Sequence, residues 1–466
     1  MLRDNRIPLI KSRFLQHVKD GDQAVIWHSL FGNPRIISAE TLEFLNAFEI
    51  PRTLESVFNE YEINDEQQSG IKDLISCFFI IPQDFDERAF LAETSEKRKG
   101  SITTGSLVNY LGLIISEVCN FRCGYCIHFS NLQSSERLVS TKKHMSFEIA
   151  KNAVDGFLDI LRKNGKKIAS INFGGGEPLL NWPIIEQTLE YCKLKYGNEF
   201  KFKFSINTNA TLINKTIARK LKNYSVSIAS SLDGLQKSND KVRQTANGKG
   251  TFYSIVKGFD ILKKEKCLLN GFAITVNDQN FALVDEAIIN WAANKDMQEV
   301  RIDIDVVGMV DISTKEIASK LMCLRNYAKA KNIVVTGFWE RPVENLNESA
   351  LNAPVGFCGG NRGNSLCINP SGQIYSCGYS AIPLGYLADI DSLFTANKPY
   401  NLFVQEYFPG SIPQCFGCSI EGQCAGGCKI TREFASLNKT AKTDRMCVFY
   451  RHMTEKLLLE SLSKLR

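Results

Sequence analysis

The sequence predicts an α/β protein: a parallel-stranded core, a small α+β unit before it and a Cys-rich module after it. Three observations predict this. Strand-like and helix-like patterns alternate from residue 107 to about 340. The density of Cys rises sharply from Cys358 onward. Before residue 90, two short strand patterns are followed by three short helical ones. Strand and helix in alternation imply parallel strands joined by right-handed crossovers, in either an open doubly wound sheet or a barrel. The boundaries read as 1–92 for the first unit, 93–105 for a linker, 106–345 for the core, 346–450 for the Cys-rich module and 451–466 for a final helix.

In the first unit, Arg13 to Val18 and Ala24 to Leu30 are separated by the turn cluster Lys19-Asp20-Gly21-Asp22. That pattern predicts a β-hairpin. Ser38 starts a helix with Leu42, Phe44, Leu45 and Phe48 as its apolar positions. Thr53 caps a second, Leu54 to Tyr61, and Asn64-Asp65-Glu66 opens a third that reaches Phe78 or Phe79. A hairpin followed by three short helices resembles the PqqD-like peptide-leader recognition domain, a winged-helix module. The resemblance implies that a leader peptide adds as a strand to the sheet edge, a mode in which backbone hydrogen bonds hold an extended chain. The alternative is an extension that only covers the core. Glu93 to Gly105 is charged and rich in Ser, Thr and Gly, and reads as a linker.

In the core the strand candidates are Leu107–Ile115, Ile168–Phe173, Lys201–Ile206, Ser225–Ser231, Leu269–Val276, Val300–Val307 and Ile333–Val335. Helical patterns lie between them. Ligands of such folds collect at the carboxyl ends of the strands, so the segments after each strand hold the candidate site. After the first comes Cys119-Asn120-Phe121-Arg122-Cys123-Gly124-Tyr125-Cys126. Three thiolates can hold three irons of a [4Fe–4S] cluster and leave the fourth open to a small molecule, whereas ordinary ferredoxin clusters use four Cys. A zinc knuckle is the alternative on spacing alone. His128 to Lys143 is polar and aperiodic and reads as a long loop over the same face, a lid or a partner contact.

After the second strand comes Phe173-Gly174-Gly175-Gly176-Glu177-Pro178. Consecutive glycines let backbone approach a ligand, and a carboxylate accepts hydrogen bonds from an ammonium. Ser205 to Thr211, including Asn209, follows the third strand. Ser231-Leu232-Asp233-Gly234 ends the fourth, with Arg243 shortly after. Arginine can grip a carboxylate through a planar fork. A cap or a surface ion pair is the alternative. Asp303 and Asp305 alternate along the sixth strand and share a face. They are candidates for a catalytic base or for satisfied structural groups.

Cys-x₃-Cys-x₂-Cys with an aromatic before the last Cys resembles the signature of radical S-adenosylmethionine (SAM) enzymes. The resemblance covers essentially all of the core and implies a partial (β/α)6 barrel. It implies that Cys119, Cys123 and Cys126 carry a [4Fe–4S] cluster, with Tyr125 as the aromatic of the motif. The open iron then chelates SAM, and reduction cleaves SAM to a 5′-deoxyadenosyl radical that abstracts hydrogen from the substrate. By the same resemblance Gly175, Gly176 and Glu177 bind the SAM amino group. Asn209, Ser231 and Arg243 take further cofactor contacts, with Ala210 where glycine is usual.

The module that follows orders its thiols as Cys358-x₁₃-Gly372-x₄-Cys377, then Cys415-x₂-Cys418-x₅-Cys424-x₃-Cys428, then Cys447. With Cys367 these are enough for two four-Cys clusters, or for two zinc sites on spacing alone. The arrangement resembles the SPASM domain, an auxiliary-cluster module of radical SAM enzymes. That resemblance implies a nearer cluster on Cys358, Cys377 and Cys428 and an outer one on Cys415, Cys418, Cys424 and Cys447. Cys367 either completes the nearer cluster or leaves it an open iron. Tyr450 to Leu465 reads as an amphipathic helix packed on the barrel. Cys77, Cys192, Cys267 and Cys323 read as small buried hydrophobes, and His28 as packing.

Composition narrows the function classes. The 466 residues are 44% apolar and 23% charged, ordinary for a globular protein. No apolar run approaches the roughly 18 residues of a membrane span, and Met1-Leu2-Arg3-Asp4 lacks the core of a signal peptide. The expected location is cytoplasmic, where fifteen Cys point to metal or redox chemistry rather than disulfides. The net charge of +6 is scattered and forms no basic stripe with interleaved aromatics, so no nucleic-acid partner is expected. The expected function is oxidative modification of a ribosomally made peptide, by a thioether or carbon–carbon link, with auxiliary clusters taking the second electron. Expected partners are a precursor peptide with its leader and an external one-electron reductant of flavodoxin or ferredoxin type. The alternatives are an anaerobic sulfatase-type maturase forming formylglycine, a maturase that cross-links an enzyme subunit, and a zinc-bearing peptide-binding scaffold.

Overall fold

The computed structural model describes residues 6–127, 143–306, 311–347, 351, 356–437 and 443–463. Its first strands are β1 (Leu9–Lys11), β2 (Leu15–Asp20), β3 (Gln23–His28), β4 (Gly32–Ser38) and β5 (Ile80–Pro82). β2 and β3 form the expected hairpin, and β4 extends it to an antiparallel sheet in the order β2-β3-β4. β4 opens on Gly, Asn, Pro and Arg, so no apolar alternation announces it. The three expected helices are α1 (Ala39–Phe44), α2 (Leu54–Tyr61) and α3 (Asp65–Ser76). Ser38, Thr53 and Asn64 cap them by accepting backbone amides, each worth about 1 kcal/mol. Their buried faces, including Leu42, Val57 and Leu74, close on Ala24 and Ile26 of β3.

The stretch read as a linker is instead most of α4 (Glu87–Thr103). Asp86 caps it, and Leu91 and Ile102 are buried. Glu93–Lys97 and Glu96–Lys99 ion pairs line its exposed side. Charge spacing at one helical turn carries this helix, while its Ser, Thr and Gly content gives the composition of a linker.

The core strands follow the seven apolar runs: β6 (Tyr110–Ser116), β7 (Ile168–Gly175), β8 (Lys201–Thr208), β9 (Ser227–Ser230), β10 (Gly271–Val276), β11 (Glu299–Ile304) and β12 (Val334–Thr336). β6-β7-β8-β9 are parallel neighbours, as are β10-β11-β12. Parallel bridges Ser227–Leu268 and Ser231–Ala273 connect the two sets into one curved wall. The helices of the crossovers are α5 (Phe147–Lys163), α6 (Trp182–Tyr196), α7 (Lys215–Asn223), α8 (Gln236–Val242), α9 (Phe252–Lys264), α10 (Glu286–Asn294) and α11 (Thr314–Lys329). One strand face, with Leu111, Leu113, Ile171, Phe173, Ile206 and Ile274, is buried against them. The opposite face carries Gly112, Asn172, Ser205, Asn207, Arg301 and Asp303, and forms the inner surface. The expected loop after the three-thiol segment lies, except for Lys143, outside the described residues.

In the Cys-rich module, α12 (Arg341–Leu346) precedes β13 (Ser365–Ile368), β14 (Gln373–Tyr375) and β15 (Gly385–Tyr386). β13 and β14 form the hairpin that Asn369 to Gln373 predicts. β13 also lies parallel to β6, with Cys367 opposite Gly112. Module and barrel therefore share one sheet, ordered β15-β14-β13-β6-β7-β8-β9. α13 (Pro399–Glu406), α14 (Lys429–Leu437) and α15 (Thr443–Ser463) complete the chain. α15 begins earlier than expected. It packs on the barrel, where Glu460 pairs with Arg325 of α11 at 3.0 Å. It also packs on the N-terminal sheet, where Leu458 and Leu462 cluster with Val25 and Trp27. Among the described residues no helix is long and apolar enough to cross a membrane.

Candidate active site

Cys119, Cys123 and Cys126 stand on the loop that leaves β6, clamped on one side by the end of α8 and on the other by the turn after β8. Arg122 N donates to Gln244 O (2.7 Å) and Gly124 N to Val242 O (3.2 Å). Opposite, Asn120 Nδ2 donates to Thr211 Oγ1 (3.0 Å) and Asn120 Oδ1 accepts from Asn209 Nδ2 (2.7 Å). Asn209 is thus tied to the thiol loop. Next to it, Ala210 takes φ +62°, the left-handed turn where glycine was expected.

The glycines after β7 serve a close approach. A Cβ on Gly175 would lie 2.3 Å from Ser116 O, and one on Gly176 2.4 Å from Val118 O. The backbone of β7 therefore seats directly against the thiol loop. Glu177 is fully buried. Its Oε1 accepts from Leu179 N (3.0 Å) and Thr208 Oγ1 (2.7 Å), and its Oε2 from Asn209 N (2.7 Å). Burial pushes its carboxyl up to about 6, against the pull of those hydrogen bonds. The segment expected at a cofactor ammonium is in this structure also the brace between the ends of β7 and β8.

Tyr125 and Arg243 meet on a residue that the motifs leave unassigned. The Tyr125 hydroxyl donates to Asp233 Oδ2. Arg243 Nε donates to the same oxygen at 2.9 Å, and Thr275 N donates to Oδ1 at 2.8 Å. The Arg243 guanidinium lies 5.9 Å from the Tyr125 ring centroid. Asp233 is fully buried. Ser231 stands at the same strand end, bridged to Ala273.

Asp303 and Asp305 are not brought together at the site. Asp303, on the inner face, accepts from Arg301 Nε and from Phe338 N, both at 2.6 Å, and acts electrostatically on Tyr379. β11 ends at Ile304, so strand alternation no longer governs Asp305. Asp305 lies instead at a small cavity with Thr314, Ile317 and Phe449.

The thiols fall into three neighbouring sets. Cys119, Cys123 and Cys126 act on one another electrostatically. So do Cys358, Cys377 and Cys428, with Cys367 in reach of Cys358 and Cys377. Cys415, Cys418, Cys424 and Cys447 form the third set. Burial pushes Cys119 and Cys415 up to about 11 and Cys123 and Cys428 up to about 12. Among the described residues no three His, Cys, Asp or Glu groups converge as they would on a single ion.

The donor set fits multi-iron clusters. Backbone amides of Phe121, Tyr379, Gly426 and Ile430 point at Cys119, Cys377, Cys415 and Cys428, and amides at sulfur favour the thiolate that iron needs. The Tyr450 hydroxyl is buried without a hydrogen-bond partner. It lies among Cys358, Cys424 and Cys428, where a cluster sulfur would accept from it. A cavity of about 180 Å³ opens between barrel and module, lined by Asn172, Gly175 and Asn207 on one side and Cys367, Cys377 and Tyr379 on the other.

The model of the Radical SAM superfamily matches residues 113–288, from β6 into α10. An uncharacterized protein of Methanocaldococcus jannaschii is 30% identical over 270 residues, 58% of this chain and 85% of that one. This chain belongs to the radical SAM superfamily. Radical SAM cyclopropyl synthase TigE of Paramaledivibacter caminithermalis is 28% identical over 436 residues, 91% of this chain and 90% of the relative. A cysteine-type anaerobic sulfatase-maturating enzyme of Clostridium perfringens is 25% identical over 341 residues, 68% and 88% of the two chains. The fold of SuiB of Streptococcus suis, solved bound to precursor peptide SuiA, superposes with a TM-score of 0.50 at 14% identity, covering 93% of this chain and 98% of SuiB. The chain is thus a radical SAM enzyme related to peptide- and protein-modifying maturases, and SAM and a [4Fe–4S] cluster are its family cofactors.

Proposed function

We propose that this enzyme oxidatively modifies a ribosomally made peptide by forming a carbon–carbon or thioether link. One observation carries the reading: a single cavity is lined by barrel residues beside the three-thiol loop and by Cys367 and Cys377 of the module, with Tyr379 in electrostatic reach of both Cys126 and Cys377. SAM and its cluster, when bound, supply hydrogen-atom abstraction. Each new bond takes two hydrogens from the peptide: one leaves as an atom, the other as a proton and an electron. An oxidative coupling therefore needs an electron acceptor beside the substrate, and two auxiliary [4Fe–4S] clusters are assigned that role. Cys358, Cys367, Cys377 and Cys428 would hold the nearer one, and Cys415, Cys418, Cys424 and Cys447 the outer.

In the barrel, Cys119, Cys123 and Cys126 are assigned to the catalytic cluster. Gly175, Gly176 and Glu177 are assigned to the SAM amino group. Asp233 engages Arg243 through Nε, and the Nη groups are assigned to the SAM carboxylate, with Ser231 and Asn209 nearby. An external one-electron reductant starts the cycle. The sheet β2-β3-β4 ends in edge strands that an extended leader can join. Similarity to the cyclopropyl synthase runs over 91% of the chain and so reaches into this unit. A cyclopropyl ring closes through a carbon–carbon bond, which favours that product over a thioether. The relationship to a sulfatase-maturating enzyme supports a second reading, formylglycine formation.

The test is anaerobic co-expression with a short peptide encoded beside the gene, followed by mass spectrometry. Loss of two hydrogens per site with Cys still open to alkylation and no hydroxylamine-reactive aldehyde identifies a carbon–carbon link, and newly blocked Cys a thioether. An aldehyde that reacts with hydroxylamine would establish the second reading instead. Cys126→Ala should abolish 5′-deoxyadenosine release, and continued release would refute the cluster assignment.

A further inference from the structure

The N-terminal unit is bonded to the loop that carries three of the four outer thiols. Glu421 stands on that loop between Cys418 and Cys424, with a side chain only 1% exposed. Its Oε2 accepts from the amide of Gly417, which lies between Cys415 and Cys418 (3.1 Å). Arg88, in the first turn of α4, grips the same carboxylate with both ends of its fork: Nη1 to Oε1 at 2.8 Å and Nη2 to Oε2 at 2.9 Å. The guanidinium also lies 4.2 Å from the ring centroid of Phe416.

β3 and the turn after it add more. Trp27 Nε1 donates to Ser419 O (2.7 Å), and Gly422 N donates to Ser29 O (2.8 Å). The Gln423 amide, oriented to satisfy both its ends, donates to Ser29 O (3.1 Å) and accepts from Gly32 N (2.9 Å). A Cβ on Gly422 would lie 2.0 Å from Leu30 O, so the two segments meet backbone to backbone.

A buried carboxylate that loses its cation must protonate or move. Here it would take the Gly417 amide, and the spacing of Cys415 and Cys418, with it. Lysine supplies the charge but not the two parallel bonds. We propose that Arg88 is a positioning residue for the outer four-thiol site, and that the N-terminal unit is thereby a structural half of that site. The proposal rests on the reading of Cys415, Cys418, Cys424 and Cys447 as cluster ligands.

The test uses the full-length chain with Cys119, Cys123 and Cys126 changed to Ala, so that only the auxiliary sites are counted. After reconstitution with iron and sulfide, iron per chain is measured and the reduced clusters are examined by electron paramagnetic resonance. Arg88→Ala should lose about four irons, one cluster, together with that cluster's signal, while the chain still melts in one cooperative transition. Arg88→Lys should recover part of the signal. Cys415→Ser should lose the same cluster. If Arg88→Ala keeps its iron and its spectrum while Cys415→Ser loses a cluster, the proposal is wrong and the cluster reading stands. If Cys415→Ser keeps its iron as well, the cluster reading fails and the proposal falls with it. If Arg88→Ala alone disrupts the fold, the double variant with Glu421→Gln decides, because it removes the unpaired charge. Restored iron supports the proposal, and continued loss overturns it.

Discussion

Asp233 receives the Tyr125 hydroxyl, the Arg243 Nε and the Thr275 amide at once, out of reach of solvent. Removing its charge leaves Arg243 buried beside a neutral amide. Asp233→Asn should therefore lower stability by about 3–5 kcal/mol, read by denaturant unfolding. Tyr125→Phe deletes one hydrogen bond and leaves the ion pair, so about 1 kcal/mol is expected. A smaller loss for Asp233→Asn than for Tyr125→Phe would mean that the Arg243 charge has another partner. Tyr125 and Arg243 are singled out by the motifs that hold them, and the structure brings both side chains to Asp233. Asp233 lies in the same segment as Ser231, and Asn120 lies inside the thiol loop itself, yet neither was assigned. Their work is to hold other side chains, and nothing in spacing marks a carboxylate that will be buried under an arginine from another element.

Among the elements, the seven barrel strands were legible as apolar runs because each buries one full face. α4 and β4 were not, since their stabilising features are charge spacing and edge pairing rather than apolar periodicity. Two elements carry testable strain or charge. Ala210 holds the turn after β8 at φ +62°, a conformation that costs an L-residue about 1–2 kcal/mol. Ala210→Gly should raise stability by about 1 kcal/mol in a thermal melt. A fall would show that the contacts of the buried methyl outweigh the relief.

In β3, His28 is fully buried, with Nδ1 accepting from Leu30 N (3.2 Å) and Phe31 N (3.1 Å). Its Nε2 faces Ser12 Oγ and Glu87 Oε1, each at 3.3 Å. Burial lowers its pKa below the ordinary 6.5, and Glu87 only partly opposes this. The unfolded chain takes up a proton at pH values where the folded ring does not. The stability contributed by this site is therefore complete above 6.5 and is lost as the pH falls from there through the lowered pKa. His28→Gln should flatten the dependence of melting temperature on pH between about 7 and 5. An unchanged slope would place the acid sensitivity elsewhere.

At the scale of the whole molecule, three regions that the sequence separates are bonded together: the N-terminal sheet to the outer thiol loop, α15 to both sheet and barrel, and the Cys-rich module to β6 through β13. The Cys-rich stretch and the alternating core stand out in composition and motif, but contacts between regions depend on which polar surfaces are complementary, and that is not periodic in sequence. The pairing of β13 with β6 has a consequence for how the chain is made. The first strand of the barrel waits, with one edge open, until a strand from far toward the other end of the chain has left the ribosome. Such long-range parallel pairing is slow and leaves its intermediates prone to aggregate. A chain stopped at residue 345 should accumulate in inclusion bodies where the full chain stays in solution, a difference a simple fractionation would reveal. The sheet that carries the three-thiol loop is therefore complete only once β13 has joined β6.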